Sequence, residues 1–228
     1  RTALIRIGTD STSVWSSLVD GGGKRCLRHR SRISHKCSIE NLVFLFPSEN
    51  IILDEKSAHP AIRVNRGTQA HYIKEKDPEN LSVRMHLHVF SKQSFSSGQH
   101  YWEVKVKERS TEKLSWYVGV ARENVERKCN VPLTPQNGFW ILSFDKGKGF
   151  HVNTDPQPPI TVEELTIVGV FLDCNSHTLS FYNVDTESLL YTFTDVKTSN
   201  YFPVFSPGQP NVTSIFLKHL CNQIKSKA

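Results

Sequence analysis

Ser97-Gly98-Gln99-His100-Tyr101-Trp102-Glu103-Val104-Lys105-Val106-Lys107 is the stretch that decides the fold class. From Trp102 onward it alternates, with Trp102, Val104 and Val106 on one side and Glu103, Lys105 and Lys107 on the other. Successive side chains of an extended strand point to opposite faces, so this period of two predicts a strand with one buried and one wet face. Trp116-Tyr117-Val118-Gly119-Val120 repeats the pattern. Phe139–Phe144 and Val168–Leu172 are denser apolar runs, as expected of strands covered on both sides. Leu179–Tyr182 and Leu189–Phe193 flank the polar link Asn183–Ser188, which reads as a hairpin.

Breakers separate these runs at Thr134-Pro135-Gln136-Asn137-Gly138, Lys146-Gly147-Lys148-Gly149 and Asp155-Pro156-Gln157-Pro158-Pro159. No stretch keeps a 3.6-residue period through several turns, and no internal repeat is present. Short strands between turn signals point to an all-β, antiparallel sandwich or barrel. The chain has 228 residues, enough for one such domain with its own core. Hydrophobic residues at 38% and charged residues at 22% exclude general disorder. No apolar run approaches the roughly 18 residues of a membrane-spanning helix. The first residue is Arg1, so the expectation is a piece of a longer protein.

The net charge of +6 is unevenly placed. Residues 1–46 hold 8 Lys/Arg and 3 Asp/Glu, against 20 and 19 in residues 47–228. Binding to phosphate backbones needs clustered cations, and nothing after residue 46 exceeds Arg127-Lys128, so nucleic acid is not an expected partner. Residues 1–48 are rich in Ser, Thr, Gly and Arg without sustained periodicity, and read as a basic flexible segment. Its alternatives are a linker or an extra strand that covers a sheet edge. Val43–Ser48 could also be encoded by a pyrimidine-rich stretch ending at a splice acceptor, which makes read-through of an intron another origin. On the flexible-segment reading, deleting residues 1–46 leaves the melting temperature within a few degrees.

Five cysteines, Cys26, Cys37, Cys129, Cys174 and Cys221, are odd in number and widely spaced, which fits unpaired thiols in a reducing, cytoplasmic setting. Asn80-Leu81-Ser82 and Asn211-Val212-Thr213 match the glycosylation acceptor pattern, a motif of low specificity. Chemistry is expected nowhere. Cys26, His29, His35 and Cys37 are ligand types for zinc, but the rest of a zinc module is missing. His86 and His88 fall on one face of a strand without a third ligand. Glu163 and Glu164 would point opposite ways, and no serine sits in a Gly-x-Ser-x-Gly elbow. Gly21-Gly22-Gly23-Lys24 lacks the spacer and the Ser/Thr of a phosphate loop. No catalytic residue, metal or cofactor is therefore assigned.

Ordered blocks along the chain resemble a known family. Leu53–Pro60 resembles the opening motif of a PRY segment, and Ser97–Val104 the strand that follows it. Val118–Ala121, Asn137–Trp140, Val168–Asp173, Leu179–Asn183 and Tyr201–Gly208 resemble the successive strands of an SPRY domain. The match covers about residues 50–220. It implies a curved antiparallel β-sandwich of two sheets, with a PRY–SPRY domain at 49–222, a poorly structured segment at 1–48 and a tail at 223–228.

Such domains recognise other proteins through loops at one end. They close many tripartite-motif ubiquitin ligases of innate immunity, where they select the substrate, and also form cytoplasmic ends of butyrophilins. The resemblance therefore implies a protein partner and no catalysis by this chain. A parent ligase would oligomerise through an upstream coiled coil. A butyrophilin-like parent would sense a small anionic ligand or a protein, for which His100, Arg122, Arg127, Lys128 and His151 are the cationic nominees. The antibody-binding tripartite-motif member places two tryptophans where this chain has Ser143 and Asp145, and a Phe-Asn pair where it has Gln209-Pro210. Loops near 66–80, 107–116, 130–136, 143–157 and 208–213 would line the binding face. Tyr117, Leu133, Ser143, Asp145, Phe150, Gln209 and Pro210 are the expected contacts, with Trp102, Trp116 and Trp140 in the core.

Overall fold

The computed structural model describes residues 4–7, 46, 48–73, 85–106, 115–162 and 164–208. Strands over these residues are β1 (Leu4–Ile7), β2 (Ile62–Asn65), β3 (Gln69–Tyr72), β4 (Val89–Phe90), β5 (Gln99–Lys105) and β6 (Ser115–Arg122). They continue with β7 (Phe139–Asp145), β8 (Gly149–Val152), β9 (Ile167–Asp173), β10 (Thr178–Asn183), β11 (Ser188–Phe193) and β12 (Tyr201–Ser206). Among the described residues, the helical structure is two short 3-10 turns, Glu55–Ser57 and Pro135–Asn137, each capped by the side chain before it, Asp54 and Thr134. Every strand pairing is antiparallel.

The strands form a seven-stranded sheet in the order β11-β10-β9-β5-β1-β3-β2 and a five-stranded sheet in the order β4-β12-β6-β7-β8. The fold is the all-β sandwich of two sheets that the alternating runs predict. Apolar positions of both sheets meet in one core. Trp102, Val104, Val168, Val170, Leu172 and Phe181 come from the larger sheet, and Trp116, Val118, Val120, Trp140, Leu142 and Phe205 from the smaller. Trp102 is fully buried, and Trp116 and Trp140 nearly so, as expected for core rings. At Gly119 a Cβ would overlap the Trp140 carbonyl oxygen, so β6 and β7 approach this closely only because that side chain is absent.

One feature departs from the sequence reading, and a second bears on an alternative weighed in it. Glu103, expected on a wet face, is buried. The outer face of the seven-stranded sheet carries a second cluster of Tyr101, Phe171 and Tyr182, with Phe46 and Val184 packed on it. Glu103 lies in this cover and accepts a hydrogen bond from the Tyr101 hydroxyl at 2.9 Å. Alternation shows which residues share a face, but not whether something distant in sequence covers it.

The second concerns residues 1–48. Leu4–Ile7 pairs with β3 on one side, Ile5 opposite Ala70, and with β5 on the other, Ile7 opposite Val104. This short strand joins the β2–β3 hairpin to the rest of the sheet, an interior counterpart of the edge-covering strand weighed for this segment. Phe46 sets its ring 5.3 Å from that of Phe171. The zinc-ligand types Cys26, His29, His35 and Cys37 lie outside the described residues.

Candidate functional site

The site follows from strand parity on the five-stranded sheet. Val118 and Leu142 point into the core, so Tyr117 and Ser143 point out. Register then aligns Ser206, Tyr117, Ser143 and His151 as one polar row across β12, β6, β7 and β8. Asp145 shares this outward parity and stands opposite Ser115 at the same end of the sheet. There Asp145 Oδ1 accepts from the Gly147 N–H at 3.0 Å and closes the turn into β8. The connection from β6 to β7 leaves from the other end but folds back over the outer face. Its Val125 and Leu133 pack on Ala121, Phe139, Ile141 and Val204, beside Phe90 and Tyr117. Asn153 Nδ2 fastens it, donating to the carbonyls of Leu133 at 2.9 Å and Phe139 at 2.8 Å.

Under that connection runs a hydrogen-bonded chain. Arg127 Nε–H donates to His88 Nε2 at 3.1 Å. An arginine can only donate, so Nε2 is the acceptor and the imidazole proton sits on Nδ1. Nδ1–H then donates to the Tyr117 hydroxyl at 2.9 Å. Tyr117 also bonds the Ser206 side chain, and Ser206 Oγ accepts from the Gly208 N–H at 3.3 Å. Arg127 is further fixed by Nη2 bonds to the carbonyls of Ser57 at 2.6 Å and His88 at 3.3 Å, with its guanidinium 5.2 Å above the Phe90 ring. Gly208, at φ +67°, leans on the Ser115 carbonyl so closely that no side chain fits there.

Electrostatics fixes the protonation of the chain. Burial holds the His88 imidazole well below the usual histidine range, and the charge of Arg127 pushes it the same way. His86, whose ring lies 6.2 Å from that of His88, is also lowered, chiefly by burial and despite its bond to the Val131 carbonyl. Burial raises the Tyr117 hydroxyl above its ordinary value, so it stays protonated. Burial likewise lowers Arg127. These groups lock the outer face in place; among the described residues no three His, Cys, Asp or Glu side chains converge on a metal position.

Of the expected contacts, Tyr117, Leu133, Ser143 and Asp145 therefore lie on the outer face of one sheet. Phe150 has the opposite parity. Its ring packs at 4.9 Å from Phe144 and 6.2 Å from Trp116, at the margin of the core. Gln209 and Pro210 lie outside the described residues, directly after Gly208. Of the cationic nominees, Arg127 and His151 belong to this face, while two others are engaged in ion pairs. His100 bonds Glu49 at 2.9 Å and stacks on Phe95, and Lys128 pairs with Glu126. The roles of His88 and Ser206 escape the sequence reading, because the Tyr117 hydroxyl that joins them is 29 residues from one and 89 from the other in the chain. The pairing of His86 and His88 on one face was the available signal.

Comparison with known proteins agrees with this architecture. The SPRY domain family matches residues 99–219. The E3 ubiquitin-protein ligase TRIM69 of Mus musculus is 34% identical over 167 residues, 71% of this chain and 32% of that protein. The putative butyrophilin subfamily 2 member A3 of Homo sapiens is 38% identical over 152 residues, 63% of this chain and 25% of that protein. The chain thus spans about a quarter to a third of the length of these curated relatives. Among solved structures, the TRIM65 PSpry domain superposes with TM-score 0.60 at 22% identity, over 75% of this chain and 90% of that one. With a polar row and a folded-back loop on the outer face of the smaller sheet, and a family match over more than half its length, the chain belongs to the SPRY domain family.

Proposed function

We propose that residues 49–222 form a protein-recognition domain that selects the target of a tripartite-motif-like ubiquitin ligase in innate immunity. The observation that carries this reading is the outer face of the five-stranded sheet. Ser143 and Asp145 present polar groups beside apolar Leu133, over the Tyr117 hydroxyl locked between His88 and Ser206, on strands and a loop fastened by Asn153 and Arg127. A rigid scaffold that carries a mixed polar and apolar surface suits recognition of another protein. Similarity to TRIM69, named as an E3 ubiquitin-protein ligase, favours the ligase parent. On this reading the parent is cytoplasmic and oligomerises through an upstream coiled coil, while this chain adds no catalysis. Purified with activating and conjugating enzymes, it forms no ubiquitin conjugates.

A second reading, the cytoplasmic domain of a butyrophilin-like receptor, draws on the 38% identity to a human butyrophilin. Upstream sequence separates the two. RING and B-box cysteines followed by heptads mark the ligase; immunoglobulin strands and a membrane span mark the receptor. Recognition itself is tested with the full chain as bait in lysate of the native cell type. Ser143→Arg and Leu133→Asp should each release the captured protein, and Lys197→Glu, in the exposed loop between β11 and β12, should not. Retention by both outer-face variants overturns the site.

A further inference from the structure

The connection between β6 and β7 is fastened at two places by different chemistry. Over its second half, Asn153 Nδ2 donates to the Leu133 and Phe139 carbonyls, while Asn153 Oδ1 accepts from the Ile141 N–H at 3.0 Å. A side-chain amide does not titrate, so this fastening is indifferent to pH. Over its first half, residues 125–131 are held by the segment that leads into β4. His86 N–H donates to the Arg127 carbonyl at 2.9 Å, the His86 ring donates from Nε2 to the Val131 carbonyl at 2.6 Å, and Met85 bridges Lys128. The bond from Arg127 Nε–H to His88 Nε2 completes this half. Pro132, which has no N–H to give, lies between the two halves.

The first half depends on one imidazole nitrogen staying bare. His88 Nε2 accepts from a group that can only donate, so a proton there sets donor against donor and cation against cation. Small shifts do not relieve the conflict. Arg127 Nη2 is tied to the Ser57 and His88 carbonyls. The His88 ring lies 4.9 Å from Phe90 and 5.8 Å from Phe139, with its Nδ1–H already given to Tyr117. The charges that act on it are Arg127 from the connection, His86 from its own segment and His59 from the 54–59 turn, and β6 presents the neutral Tyr117 hydroxyl. None of these is a carboxylate that would stabilise the added proton. His86 differs, because its Nε2 already carries the proton that Val131 accepts, and a second proton on Nδ1 leaves that bond in place.

We infer that acidification opens residues 125–131 as a unit by expelling Arg127 from His88, while residues 133–139 stay fastened by Asn153. The outer face then loses Val125 and uncovers the Tyr117 hydroxyl. On the protein-recognition reading, on which this consequence rests, a target held near neutral pH is let go in acid. Once open, His88 titrates as a solvated imidazole at about pH 6.5, and the opening equilibrium rises about tenfold for each pH unit below that. Between pH 7 and pH 5 the rise is about twentyfold.

The test is residue-resolved amide exchange on the full chain at pH 7, 6 and 5, each rate compared with the intrinsic rate at that pH. Protection of the His86 amide, which bonds across to Arg127, should fall at least about twentyfold from pH 7 to pH 5. The Phe139 and Ile141 amides, bonded to Thr134 and Asn153, should hold within about twofold. His88→Gln keeps an acceptor for Arg127 and a donor for Tyr117, and should shrink the fall at His86 at least about fivefold. If that variant does not fold, Arg127→Gln, which removes the opposing charge and can turn its carbonyl toward a protonated ring, should shrink the fall as well. Loss of protection at all three amides together would mean global unfolding and overturns the unit. A fall that is absent, or that survives both substitutions in full, overturns the His88 release. Exchange needs no target, so protein capture from lysate at pH 7 judges the recognition reading separately.

Discussion

On the seven-stranded sheet the outward side chains of β5, β9 and β10 are covered, with Phe46 on Phe171 and Tyr101 over Gly169. On the five-stranded sheet the outward row of Ser206, Tyr117, Ser143 and His151 stays polar, and the covering loop is held by hydrogen bonds. One outer face is closed mainly by apolar area; the other joins an apolar patch under Val125 and Leu133 to directional bonds that leave part of it open. Closure by area suits stability, since burial contributes roughly 25 cal/mol per Å² regardless of geometry. Closure by fixed polar groups suits selectivity, because a buried donor without its acceptor is costly and the arrangement is therefore unique.

Both faces depend on the core between them. Trp102 is fully buried on the inner face of β5, while Lys105 points outward. Trp102→Ala should cost about 3–5 kcal/mol, a large share of a typical domain's stability. Lys105→Ala should cost under about 0.5 kcal/mol. Equal urea midpoints for the two variants would break the assignment of inner and outer faces.

The covered face is next tested by removing its most distant contributors. Deleting residues 1–46 takes away β1, paired on two sides, and the Phe46 ring. At about 2–4 °C per kcal/mol for a domain of this size, losing several kcal/mol of pairing and burial should lower the melting temperature by about 10 °C. A change of only a few degrees, which composition alone leads one to expect, would show that these contacts add little.

The polar face should reveal itself through pH. His88 is buried neutral, with its folded pKa depressed by burial and by Arg127. The unfolded chain takes up the proton first, at about pH 6.5, so stability from this group is intact above that pH and is lost as pH falls toward the folded value. His86 contributes in the same direction. Melting temperature should fall by a few degrees between pH 7 and 5, and His88→Gln should flatten part of that slope. An unchanged slope would remove His88 from the network.

Much of this architecture is legible in residue order, and the rest is not for identifiable reasons. The runs at Trp102–Val106, Phe139–Phe144 and Val168–Leu172 announce their strands because period and density are local properties. Leu4–Ile7 does not, since four residues in a polar segment give no period to count. Tyr117, Ser143 and Asp145 can be nominated from the family resemblance, but only the β7–β8 register shows that Phe150 faces the other way. The pairing of Arg127 with His88 spans 39 residues, and no spacing rule reaches that far.

The smallest expected effect probes the cover of the larger sheet at buried Glu103. Glu103 is buried with the Tyr101 hydroxyl on Oε1, and burial, aided by Asp185, raises its pKa above the usual carboxylate range. A raised folded pKa means that the native state holds its proton more tightly than the unfolded chain. Stability from this group is therefore full at low pH and declines as pH rises through the folded value. Glu103→Gln keeps an acceptor for Tyr101 and removes the buried charge, so at pH 7 it should match the parent or exceed it by about 1 kcal/mol or less. At pH 4, where the parent carboxyl is largely protonated, the two proteins should converge. A variant less stable than the parent at pH 7 would mean that the carboxylate meets further donors and that this face, too, is held by directional bonds rather than by area.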